Sequence, residues 1–223
     1  MALIQAKNLN KTYTLKNRIT NAVKDTSIEV NEGELIAITG KSGSGKSTFI
    51  NILSGLLTPD NGEVIINGKN VYTLNDNERT HLRNEQIGII PQGDSLLGTL
   101  TVLQNILLPA TLYSDKENID KVVQRARQLL IKFGIENLEN EYPSNLSGGE
   151  IRRVMITRAL INNPKVIFAD EPTANLDDEN TEIVINLLRD ITKENVSVIY
   201  VTHEVDTTKA ADKVYHMNQG SIT

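Results

Sequence analysis

A chain of 223 residues with 39% apolar and 23% charged side chains can bury a full core as one large domain, or as a main domain carrying a smaller one. Its net charge of −5, without any block of Lys and Arg, argues against nucleic acid as a partner, and the absence of cysteine excludes a disulfide framework, thiolate catalysis and Cys-bound zinc. No apolar run approaches the roughly 20 residues a membrane-spanning helix needs, and the start, Met1 to Lys7, lacks the basic and long apolar stretches of a signal peptide, so an intracellular protein is expected.

Short strands are predicted at Ile4 to Leu9 and Thr26 to Val30, with a polar turn region between them. Leu35-Ile36-Ala37-Ile38-Thr39 reads as a strand buried on both faces. It runs into Gly40-Lys41-Ser42-Gly43-Ser44-Gly45-Lys46-Ser47-Thr48, and apolar residues at helical spacing follow from Phe49 to Leu57. That block matches the phosphate-loop pattern G-x-x-x-x-G-K-[ST] between a strand and a helix, the context its chemistry requires. Glycines at 40, 43 and 45 let successive backbone N–H groups face one concavity, and the helix start adds its positive end. Lys46 brings a full charge to the β- and γ-phosphates, and the Ser47 hydroxyl is a hard ligand suited to Mg²⁺. Glu63 to Gly68 is a strand ending in Asn-Gly, a hairpin signal.

The middle of the chain is helical. From Ile119, apolar residues at 122, 123, 126, 129, 130 and 133 form one face, ended by Gly134. In Leu146-Ser147-Gly148-Gly149-Glu150, Ser147 and Glu150 make an S-x-x-E capping box that opens a helix through Leu160. Arg152, Arg153 and Arg158 in that helix are expected to form a solvated face, unless one meets phosphate or a partner subunit. Val166 to Ala169 is a buried strand that ends in Asp170-Glu171. A strand delivers its last residues to the carboxyl edge of a parallel sheet. Asp170 can there hold Mg²⁺ through its water shell, and Glu171 can polarise an attacking water. A helix face at Ile183, Val184, Leu187, Leu188 and Ile191 and a buried strand at Val198 to Val201 complete the alternation. The expected fold is α/β: a phosphate-loop core with a mostly parallel sheet, an N-terminal antiparallel β region and a helical insert. The core spans about 1–91 and 164–223, and the helical subdomain 92–163.

With its capped Leu-Ser-Gly-Gly-Glu, the sequence resembles the ABC ATPases, and the resemblance runs over the whole chain. It implies that Ser147, Gly148, Gly149 and Glu150 cover the γ-phosphate of ATP held by an opposite copy. It implies that Tyr13 stacks on adenine and that Gln92 reaches Mg²⁺ and links the core to the helical insert. By the same resemblance Glu171 is the catalytic glutamate, the loop with Asn175 and Asp177 crosses a dimer interface, and His203 contacts the γ-phosphate. His81 and His216 match nothing. The loop Ala174-Asn175-Leu176-Asp177 and the Glu of the signature point to the branch of lipoprotein-releasing, macrolide or antimicrobial-peptide and cell-division ATPases. Departures at Pro91, Gly98 and Ile151 lie outside the atoms that touch nucleotide.

The resemblance therefore implies an ATPase that uses ATP and Mg²⁺ as a homodimer. It would act in the cytoplasm, at the inner face of the membrane, on a separately encoded permease. The stretch Ser95 to Leu100 is expected to line the groove that receives a short helix of that permease; the alternative is local core. Rival functions are an ABC ATPase in cell division or another non-transport role, and a module that binds ATP without turnover. A GTPase is disfavoured because no N-K-x-D motif occurs.

Overall fold

The computed structural model describes residues 2–16, 18–112 and 119–223. The N-terminal strands β1 (Ala2–Leu15) and β2 (Arg18–Asn31) pair antiparallel and are far longer than their apolar stretches suggest. Their pairing shifts register around Asn8 and Leu9, and Asn8 and Asp25 both have left-handed backbones, so the in–out alternation that marks a strand breaks midway.

After β3 (Leu35–Thr39) the phosphate-loop sequence turns into α1 (Lys46–Leu53). Next come β4 (Asn61–Ile66) and β5 (Lys69–Asn70), whose hairpin has left-handed Asn67 and Gly68 at its tip, as Asn-Gly demands. Helix α2 (Asp76–Gln86) has no apolar stripe: only Leu82 is buried, and an Asn75–Glu78 capping box starts it. Strand β6 (Ile87–Ile90) leads to the helices α3 (Val102–Thr111), α4 (Ile119–Lys132) and α5 (Gly148–Leu160). The chain then returns through β7 (Val166–Asp170), α6 (Asp178–Thr192), β8 (Ser197–Thr202), β9 (Lys213–Asn218) and β10 (Ser221–Ile222).

Two sheets result. One is antiparallel, β2-β1-β4-β5; the other runs β10-β9-β3-β8-β7-β6, parallel except for β10. The period-2 geometry of the central strands divides their side chains between two cores. Ile36, Ile38, Val166, Phe168, Ile199 and Val201 pack with α1 and the antiparallel sheet. Leu35, Ala37, Ile167, Ala169, Val198 and Tyr200 pack with α3 to α6. Strands buried on both faces are held rigidly, and the carboxyl ends of β3, β7 and β8 lie side by side, with Thr39 level with Thr202 and Asp170 level with Val201. In α6 the buried face is rotated by about one residue from the expected one: Ile185 is buried and Ile183 is exposed. Among the described residues no helix is long and apolar enough to cross a membrane.

Candidate functional site

The edge formed by β3, β7 and β8 gathers most of the residues the sequence singles out. A cavity there is lined by Tyr13, Thr20, Ala22, Ser42, Gly43, Gly45, Lys46, Ser47, Thr48, Gln92 and Glu171. Tyr13 comes from β1, opposite Thr20 of β2, and its ring is half exposed. Gly45 sits at the N-terminus of α1 with φ 109°, and a Cβ there would lie 1.9 Å from the Ala22 carbonyl oxygen, so only glycine closes this turn against β2.

Lys46 is 6% exposed, and its ammonium donates to the carbonyls of Gly40 at 2.8 Å and Lys41 at 3.2 Å. The charge is thus folded back on its own loop by neutral acceptors that a phosphate oxygen can replace. Ser44 is buried, with its carbonyl bonded to Gly220 N–H and its hydroxyl without a hydrogen-bond partner.

Glu171 follows β7 with a φ of 50°, unusual for a residue with a Cβ. Its backbone N–H stays bonded to Val201 O, so the strained turn is anchored to β8. The carboxylate is gripped from both sides: Gln92 Nε2 donates to Oε2 at 3.0 Å, and His203 Nδ1 lies 3.2 Å from Oε1. Asp170 is set deeper. Ser47 donates to its carboxylate, and Oδ1 is buried without a partner. Burial pushes the Asp170 carboxyl above the usual carboxylate range; the Ser47 hydrogen bond and the Lys46 charge oppose this, and neighbouring Glu171 adds to it.

The capping box at α5 is present: Ser147 N–H donates to Glu150 Oε2 at 2.7 Å, and Ser147 Oγ accepts from Glu150 N–H at 3.4 Å. The backbone hydrogen bond from Ser147 lowers the Glu150 pKa. Ser147, Gly148, Gly149 and Glu150 are not among the residues lining the phosphate-loop cavity. Asn175 has a left-handed backbone, and Asp177 caps α6 by accepting from Asn180 N–H at 2.8 Å. Thr173 Oγ1 donates to Glu204 Oε2 at 3.0 Å, which ties the turn after Glu171 to the segment after His203.

These features match known proteins over nearly the whole chain. The ABC transporter family model covers residues 23–174. The chain belongs to that family. An uncharacterized ABC transporter ATP-binding protein of Methanocaldococcus jannaschii is 42% identical over 99% of this chain and 97% of its own. A lipoprotein-releasing system ATP-binding protein of Chlorobium chlorochromatii is 39% identical over 100% of this chain and 94% of its own. A bacterial ABC transporter cassette solved as a dimer superposes with a TM-score of 0.90 at 36% identity, over 98% of this chain and 96% of its own. The same cassette in a post-hydrolysis state, bound to ADP and Pi, gives a TM-score of 0.87. The protein is thus an ABC ATPase, the ATP-binding subunit of an ABC transporter.

The structure corrects one expectation for this ATPase. The arginines of α5 are not a solvated face. Arg152 is 4% exposed and donates to the carbonyls of Gly93 at 2.9 Å and Ala174 at 3.4 Å. Arg158 donates to the Ser95 carbonyl at 2.9 Å and to its hydroxyl, and Arg153 to Phe133 O at 3.4 Å. Their acceptors are backbone carbonyls of distant segments, which no charge pattern reveals. Sequence reasoning also passes over Asn105, fully buried in α3, which accepts from Leu97 N–H and donates to the carbonyls of Leu97, Leu100 and Thr101. An Asn at a core position of an apolar helix is the only signal of it.

Proposed function

We propose that this ABC ATPase is the motor of a transporter, working as a pair of copies on a separately encoded integral-membrane subunit. The observation that carries the reading is the Glu171 carboxylate, held between Gln92 and His203 beside the Lys46 loop. ATP lies with adenine against Tyr13 and with its phosphates along Gly40, Ser42, Gly43, Ser44, Gly45, Ser47 and Thr48. Lys46 leaves its carbonyl acceptors for the β- and γ-phosphate oxygens. Glu171 takes a proton from the lytic water, while Lys46 and His203 stabilise charge on the γ-phosphoryl oxygens. Ser147, Gly148 and Gly149, in the frame closed by Glu150, offer helix-start N–H groups to the ATP of the other copy. Asn175 and Asp177 lie where the two copies meet. The cassette relative solved as a dimer, and in a post-hydrolysis state, supports this arrangement.

The residues present fit a magnesium ion. Asp170 has an unpartnered buried oxygen, Ser47 supplies a hydroxyl bonded to the same carboxylate, and Gln92 keeps its side-chain oxygen free of the Glu171 contact. One carboxylate with neutral oxygens suits an ion that takes its remaining ligands from water and phosphate. When bound it supplies charge neutralisation on the phosphate oxygens.

In this reading residues 92–163 act as a helical subdomain that moves against the core of 1–91 and 164–223, and the subunit sits in the cytoplasm against the inner face of the membrane. The lipoprotein-releasing relative favours export or extrusion. Phosphate release by the purified subunit, lost together with ATP affinity in Lys46→Ala, tests the site. Co-purification from mild detergent tests the membrane partner. Wild-type protein that binds ATP without releasing phosphate would overturn the motor reading.

A further inference from the structure

We infer that Arg152 is a positioning residue that ties the Gln92 segment, the start of α5 and the 174–177 loop into one moving unit. The inference rests on the function proposed above. Arg152 lies one turn after the Ser147–Glu150 cap. Its guanidinium donates Nη1 to Gly93 O at 2.9 Å and Nη2 to Ala174 O at 3.4 Å, and Nη1 also lies 3.6 Å from Met155 Sδ. Gly93 follows Gln92, the residue bonded to Glu171; Ala174 precedes Asn175.

The group is 4% exposed, and the nearby carboxylate of Asp94 stabilises its charge by charge attraction rather than by a hydrogen bond. Burying a guanidinium is tolerable only while its hydrogen bonds are kept. Its fork is planar and rigid, so it fixes the separation of the two carbonyls it joins. Neither loop can shift without the other unless a bond to a buried charge is broken. Arg158 adds a second tether from the same helix to Ser95, three residues after Gln92. Movement of Gln92 with the nucleotide is thereby passed to the signature helix and to the 174–177 loop. Arg153 is the contrasting case: its carbonyl partner is Phe133, at the end of α4.

The experiment uses the full chain and three variants. Arg152→Lys keeps the charge but cannot span both carbonyls, Arg152→Gln keeps a donor without the charge, and Arg153→Ala removes a carbonyl tether that does not reach the site. Affinity for a fluorescent ATP analogue should be unchanged in all three, because the phosphate loop is untouched. In Arg152→Lys and Arg152→Gln, kcat should fall by tenfold or more with KM nearly constant, on the order expected for slight misplacement of catalytic groups. Arg153→Ala should keep kcat. The deciding readout is a cycle with Gln92→Ala, in whose background Arg152→Lys should have little further effect on kcat. Additive losses in that cycle, or wild-type kcat in both Arg152 variants, overturn the inference. An inactive wild-type protein removes the motor reading itself, a failure distinct from an active wild type with an indifferent Arg152.

Discussion

Gln92 and Glu171, 79 positions apart in sequence, are joined by a 3.0 Å hydrogen bond between the side-chain amide and Oε2, while the other carboxylate oxygen faces His203. The carboxylate is therefore oriented by residues at the ends of three adjacent strands, β6, β7 and β8. If Glu171 is the base proposed above, a carboxylate fixed at both oxygens has little orientational freedom left to lose.

Glu171→Gln should keep that geometry, since an amide oxygen still accepts from Gln92, but it cannot take a proton. Turnover is expected to fall by about a hundredfold to ten-thousandfold, the usual worth of a positioned base, with ATP affinity retained. A dimer that opens only after hydrolysis should then accumulate with ATP, as read by size exclusion. Wild-type phosphate release in this variant would remove Glu171 from the chemistry.

The two signature glycines are not equivalent, and that makes a clean test possible. A Cβ on Gly148 would touch only Leu176 Cδ2, at 3.4 Å, whereas one on Gly149 would lie 2.0 Å from Asn180 Oδ1. Gly148→Asp should therefore fold and bind ATP as a monomer, yet fail to dimerise or turn over if, as proposed, its charge meets the phosphate of the opposite copy. Gly149→Ala should instead lower thermal stability through the α5–α6 contact. Lost ATP affinity in monomeric Gly148→Asp would assign the signature to the pocket of its own chain.

The strands that build the site were legible because central parallel strands need apolar side chains on both faces, and β3, β7 and β8 carry them. The hairpin tip at Asn67-Gly68 and the cap at Ser147 were legible because each is a local hydrogen-bond or backbone requirement. Helix α2 was not, since it buries only Leu82; its Asn75–Glu78 box was the available signal. The burial of Arg152 and Arg158 was hidden for a different reason: their acceptors are main-chain carbonyls 59 and 63 residues away, where the side chain says nothing.

Glu150 tests the cap against pH. Its folded pKa is lowered, chiefly by the Ser147 N–H, so the stability it contributes is present above the ordinary glutamate range and is lost as pH falls through the lowered value. Glu150→Ala should cost about 0.5–1 kcal/mol at pH 7 and progressively less in acid, whereas Glu150→Gln, which can still close the box, should stay close to wild type at pH 7. Urea unfolding at pH 7 and in acid measures both. An equal loss for Glu150→Ala at the two pH values would show that the carboxylate does not act through its charge.

Leu97 tests where the proposed membrane subunit would dock. The stretch from Ser95 to Leu100 reads either as lining of that groove or as local core, and its adjacent leucines at 96 and 97 differ. Leu96 packs against the core beneath the helices, whereas Leu97 is 47% exposed. The shape of the loop is held through its backbone. Asn105 sets it, taking the Leu97 N–H at 2.7 Å and donating to the carbonyls of Leu97, Leu100 and Thr101 at 3.0–3.1 Å. Leu97→Asp should therefore leave the fold and basal ATPase unchanged, with stability within about 0.5 kcal/mol of wild type. Asn105→Ala, which strips four hydrogen bonds from a buried loop, should cost several times that. If the exposed leucine is part of the docking groove, Leu97→Asp loses both co-purification with the membrane subunit and stimulation by it, since a charge is then buried against an apolar helix. A variant that folds and still couples normally places the groove elsewhere. The depression lined by Thr80, Arg83, Ile89, Pro109, Arg158 and Asn162 is then the next surface to mutate, because it also touches α3 and α5.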